Sequence, residues 1–136
     1  MSTFKSQRAA AIAVNRTARA YEAAHDARIA VRHWTNEERD TAWAPTAEET
    51  SELLRLEAVY SAVDGPARYQ TAEWGAHCDL MNTIGERPLK NAEAAEDAAW
   101  QAMKSVHEAA LADGFYISCR HLESNATREL VMQNID

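Results

Sequence analysis

Three histidines, His25, His77 and His107, each fall on or beside the apolar face of a different long helical stretch, and Glu22-Ala23-Ala24-His25 places a carboxylate three residues before an imidazole. That spacing puts both groups on one helical face. Four-helix carboxylate proteins build a di-metal site from two Glu-x-x-His motifs and two further glutamates, and this chain has one such motif. A metal-binding helical bundle using Glu22, His25, His77 and His107 is therefore one reading, set against histidines that simply complete hydrogen bonds at the core boundary. The neighbours His77-Cys78 and Cys119-Arg120-His121 are the residue types of a tetrahedral zinc site, but without the paired spacing that marks one. No Ser/His/Asp, Cys/His or phosphate-loop arrangement is legible from order and spacing.

A second constellation is acidic, the run Glu48-Glu49-Thr50-Ser51-Glu52 at the start of a helical stretch. Carboxylates three and four apart project together and can hold a divalent cation. The E-E-x-x-E run resembles the first half of the magnesium-binding motif of the all-α nucleoside triphosphate pyrophosphatases, the MazG-like family. The resemblance covers Glu48 to Glu52 and implies Mg as cofactor, with Glu49 and Glu52 holding it against substrate phosphates and Glu48 adjacent. The family's second half is an E-x-x-D on the next helix, where this chain has Glu73 and Asp79 on different faces; Glu93, Glu96 and Asp97 have better spacing but lie one helix later. Acidic residues in a first turn are also what the helix dipole favours.

Charge is divided unevenly along the chain. Residues 1 to 39 hold seven Lys or Arg against four acids, whereas residues 40 to 136 hold seven against seventeen. The first helix carries Arg16, Arg19, Arg28 and Arg32, candidates for phosphate contact or for pairing with the acidic half of a second copy. A net charge of −7 repels nucleic acid and attracts basic protein surfaces, so duplex nucleic acid is not an expected partner. Trp34 and Trp43 flank a short stretch between two capping boxes, a placement that suits either partner anchoring or closure of the core end.

The elements that must position these groups are helical. Alanine supplies 28 of 136 residues, with four Gly and three Pro to interrupt it, and only 33 residues are large and apolar. The expectation is a single all-α domain over 1–136, a compact bundle of about four main helices plus one or two short ones and a short extended C-terminal segment. Burying thin apolar faces between subunits would help it, so a homo-oligomer is expected. A first helix runs from about Phe4 to His33 on the line Phe4, Ala11, Val14, Ala18, Tyr21, His25 and Ile29. Thr35-Asn36-Glu37-Glu38 and Thr46-Ala47-Glu48-Glu49 are capping boxes, the second opening a helix to about Val63 with Leu53, Leu56, Val59, Tyr60 and Val63 inward. A further helix, about Ala67 to Ile84, sets Trp74, His77, Cys78, Met81 and Ile84 on one side, and Gly85 is read as its stop. The next, about Lys90 to Asp113, ends at Gly114; Phe115 to Cys119 continues as an extended tail packing on the bundle, or as a pairing edge between subunits, then a short helix over about 126–133.

Two cysteines make no disulfide framework, and the start of the chain lacks the apolar run of a signal peptide, so the reading is cytoplasmic with reduced thiols and no membrane partner. Without a complete catalytic motif, the leading expectation is non-enzymatic. It is a small acidic protein-binding module of regulator or inhibitor type, docking on a basic protein surface through Trp34, Trp43, Glu48, Glu49 and Glu52. An accessory protein of a phage or mobile element fits that type, and Mg-dependent nucleotide pyrophosphate hydrolysis is the alternative.

Overall fold

The computed structural model describes residues 2–122. They are all-α: α1 (Gln7–Arg32), α2 (Asn36–Ala42), α3 (Ala47–Ser61), a 3₁₀ helix (Gly65–Gln70) and α4 (Ala72–Ala112), with no strand among the described residues. The short helix expected at 126–133 lies outside them. No helix among the described residues is long and apolar enough to cross a membrane.

Local chemistry sets most of the boundaries. The Thr46 hydroxyl accepts from the Glu49 backbone N–H at 3.1 Å while the Glu49 carboxylate accepts from the Thr46 N–H at 2.8 Å, satisfying two donors that the first turn of α3 would otherwise leave open. Thr35 accepts from the Glu38 N–H at 3.2 Å and starts α2, but the Glu38 carboxylate accepts from the Thr35 hydroxyl rather than from its backbone N–H, so only one half of the capping box expected there forms. The expected helix start at Ala67 is instead a 3₁₀ turn, entered at Gly65 with φ 70°. Helix α4 begins after Thr71, whose hydroxyl accepts from the Trp74 N–H at 3.1 Å.

The expected break at Gly85 is not there. Helix α4 runs unbroken for 41 residues through both Gly85 and Pro88, and Gly85 does not adopt a positive φ. Pro88 removes the donor to the Ile84 carbonyl and crowds that carbonyl with its ring, yet the good helix formers on either side propagate through the two breakers. Gly114 does stop the helix. Its φ is 83°, its N–H donates to the Leu111 carbonyl at 3.0 Å, and the Phe115 N–H donates to the Ala110 carbonyl at 2.9 Å, the paired bonds of a Schellman cap.

The chain divides into two compact units, Met1–Ala30 with Ala92–Asp136, and Val31–Asn91. In the first, small residues let α1 and α4 approach closely around Ala10, Val14, Met103 and Ala110, and the extended segment after Gly114 adds Ile117 and Cys119 to that core. Tyr21 and Trp100 pack against it edge to face at 5.4 Å. In the second, Leu56, Tyr60 and Ile84 are buried. Tyr60, Tyr69, Trp74 and His77 form one aromatic cluster there, with Trp74 edge-on to Tyr60 at 5.1 Å and to Tyr69 at 4.9 Å. Val59 and Met81, expected to face inward, are 41% and 40% exposed, as is Ile29 at 38% in the first unit. The stripe each helix buries is narrower than its apolar sequence pattern.

Candidate functional site

Trp34 and Trp43 line the same cleft. It belongs to the unit Val31–Asn91, measures about 280 Å³, and takes Trp34, Arg39, Asp40, Ala42 and Trp43 from α2 and its flanks. Helix α4 contributes Ile84, Gly85, Glu86, Pro88 and Leu89, and the end of α1 contributes Val31 and Arg32. Both tryptophans are half-buried. The Trp34 N–H donates to the Val31 carbonyl and the Trp43 N–H to the Asp40 carbonyl, each at 3.3 Å, so both backbones are fixed by the ends of the helices that bracket them.

Gly85 and Pro88, the two residues least suited to a helix interior, both line this cleft. Relative to Ala they cost a helix about 1 and about 3 kcal/mol. Here they form part of a wall beside the Trp43 ring, whose Cζ3 lies 3.7 Å from where a Gly85 Cβ would stand, an ordinary contact distance, so the ring would accommodate a methyl there. Local rules are most often broken at functional sites.

A bidentate ion pair joins the first turn of α3, just beyond the Trp43 segment, to α4. The Arg87 guanidinium donates to Glu49 Oε1 at 3.0 Å and to Oε2 at 2.5 Å, and reaches the Ala44 carbonyl at 3.5 Å. These bonds, with the Thr46 N–H, hold the Glu49 carboxyl down at about 2, against an ordinary 4.5. Glu52 is also lowered, by hydrogen bonds from Arg55 at 2.5 and 2.8 Å. Two of the three carboxylates expected to face a partner or a magnesium ion are therefore paired within the fold, and of the three only Glu48 is classed as exposed. Glu49 joins a capping box to an ion pair.

The histidines do not share a site. His77 stacks on Trp74 and meets Tyr60 in the unit Val31–Asn91. His107 is buried, and its Nε2–H donates to the Ile117 carbonyl at 3.0 Å, fastening the segment after Gly114. His25 Nδ1 lies 3.4 Å from Glu96 Oε2 without hydrogen-bond geometry, and Glu96 is held by Arg28. Cys78 and Cys119 are both free, the first with His77 in one unit and the second in the core of the other. Glu49 and Glu52 likewise lie in a different unit from Glu93, Glu96 and Asp97. Among the described residues no three His, Cys, Asp or Glu side chains converge closely enough, as they stand, to hold a metal ion. The expected ligand sets are thus not assembled, because helical spacing fixes only which face a residue occupies.

A second cleft, about 380 Å³, lies in the other unit, and sequence spacing alone does not reveal it. Tyr21, Glu22, His25 and Asp26 of α1 line it with Arg120 and His121. His121 Nε2 lies 2.9 Å from Glu22 Oε1, and Arg120 donates to the same oxygen at 3.4 Å. These contacts, the His121 bond foremost, lower the Glu22 carboxyl. His121 and Glu22 are 99 residues apart, and no local pattern signals such a pair. No family model, curated protein or solved structure matches this chain.

Proposed function

We propose that this protein is a non-enzymatic protein-binding module of regulator or inhibitor type, which docks on a basic protein surface by taking an apolar side chain of its partner into the Trp34–Trp43 cleft. The observation that carries the reading is the convergence of both tryptophans with Ile84, Pro88 and Leu89 on one cleft. Its volume suits one large apolar side chain, and buried aromatic anchors dominate protein interfaces. The tryptophans therefore receive an anchor rather than insert as one. Basic partners are favoured by charge: residues 31–91 hold six Lys or Arg against eleven acids, a net −5. Such a field speeds encounter and selects partners more than it adds affinity.

The test is affinity capture from host lysate with the parent, Trp34→Ala, Trp43→Ala and Glu48→Gln proteins. One protein with a basic surface is retained by the parent at low ionic strength, less at high salt, and is lost in both tryptophan variants while Glu48→Gln weakens it slightly. Retention of the same proteins by the tryptophan variants contradicts the reading. Self-association through exposed apolar side chains such as Leu54, 63% exposed on α3, is part of the proposal and is checked by light scattering.

A further inference from the structure

Resting on the cleft reading above, we propose that a second copy of this chain occupies the Trp34–Trp43 cleft, with Ile12 on the outer face of α1 as the inserted side chain. The cleft suits one large apolar residue on a basic surface, and α1 presents that pattern. Residues 1–21 hold four Lys or Arg and no acid. Arg8, Arg16 and Arg19 stand four residues before, four after and seven after Ile12, hence on its face of the helix. All three are exposed, and Arg8 and Arg16 form no ion pair with another described residue. Ile12 is 50% exposed, whereas Ala10 and Val14 on the opposite face are fully buried. A groove of about 350 Å³ lined by Asn15, Arg16 and Arg19 runs beside Ile12, so its side chain stands clear on that flank.

Charge selects the cleft as the surface that receives this face. The face repels the same face of another copy, so two α1 helices do not pair through it. The unit that holds the cleft is net −5, and the cleft carries an acid on each of two walls, Asp40 on α2 and Glu86 on α4. Arg8 and Arg16 lie about 12 Å apart along the helix, with Ile12 midway. Ile12 entering the cleft therefore brings a guanidinium to either side of it, towards the two acids. Arg32 and Arg39 also line the cleft and oppose the approach, but the Arg39 Nε–H donates to the Trp34 carbonyl at 3.4 Å and Arg32 is engaged within the chain. A basic partner then binds by displacing the second copy, and the helix it offers shares the pattern of an apolar residue with a cation four residues to either side.

The experiment is sedimentation of the purified, tag-free full chain over a concentration series, with far-UV circular dichroism checking the fold of each variant. The parent associates with itself, less at high salt. Ile12→Glu, an exposed change to a good helix former, weakens association at least about tenfold. Arg8→Glu/Arg16→Glu and Asp40→Arg/Glu86→Arg each do the same, and mixing these two charge-reversed proteins restores it, which a folding defect in either would not allow. Lys104→Glu, exposed on α4 and outside the cleft lining, leaves it unchanged. A monomeric parent, whether or not it binds a single-stranded oligonucleotide through Arg8 and Arg16, overturns the proposal. Undiminished association in Ile12→Glu, or no association in the mixture, does so too. Any of these results leaves the cleft reading standing, whereas lysate capture retained by the tryptophan variants ends both.

Discussion

Replacing Gly85 by Ala distinguishes a continuous α4 from two helices that meet there, because the two geometries give opposite signs. In the continuous helix Gly85 has an ordinary negative φ and is exposed, and a Cβ placed on it meets only the Trp43 ring at 3.7 Å, an ordinary contact distance. The substitution then recovers the helix propensity difference, about 0.8–1.0 kcal/mol. A methyl covering roughly 20 Å² of ring and cleft surface adds about 0.5 kcal/mol at 25 cal/mol/Å². The net is a stabilisation of about 1.5 kcal/mol, which for a chain of this size raises Tm by roughly 4–7 °C. If Gly85 instead served as a left-handed stop, as its place before Pro88 suggests from sequence, Ala would cost about 1–2 kcal/mol. Urea melts and calorimetry of the two proteins read the sign directly. A Gly85→Ala protein less stable than its parent refutes the continuous helix and the cleft wall built from it.

The packing and the ion pairs set three other outcomes. Met103 is fully buried between α1 and α4, so Met103→Ala lowers unfolding free energy by about 2–5 kcal/mol in a urea melt. His107→Ala leaves the Ile117 carbonyl without its donor, costs about 1–3 kcal/mol, and speeds amide exchange over Ile117 to Cys119. Glu49 titrates at about 2 when folded against an ordinary 4.5, so its folded form takes up a proton less readily than the unfolded chain. Its stabilisation is complete above about pH 5 and is lost as pH falls towards about 2; the parent therefore loses more stability over that window than Glu49→Gln, measured by melts across pH.

Local features were the legible ones in the sequence. The Thr46–Glu49 box is visible because its two halves are three residues apart, and the helix it starts is in place. Gly85 and Gly114 look alike in sequence yet only the second stops α4. The segments downstream of each make the difference. After Gly114 the Phe115 N–H caps the Ala110 carbonyl and the chain leads into a segment that buries Ile117, whereas the residues after Pro88 resume a helix with an apolar stripe of their own. The cleft was half legible. Trp34 and Trp43 bracket one short capped helix, so the boxes define their neighbourhood, but the wall from Ile84 to Leu89 is set by tertiary packing. Glu49 looked like a metal ligand because its partner Arg87 is 38 residues away, and Glu22 lacked its partner His121 for the same reason.

The central claim is that the Trp34–Trp43 cleft is where this protein engages another. A photo-crosslinking amino acid placed at Ala42, which lines the cleft, and separately at Ala58, exposed on α3, tests it in the host cell. The account expects one crosslinked protein from Ala42, none from Ala58, and loss of the product when Trp43→Ala is added. Equal crosslinking from both positions, or a product that survives Trp43→Ala, contradicts it.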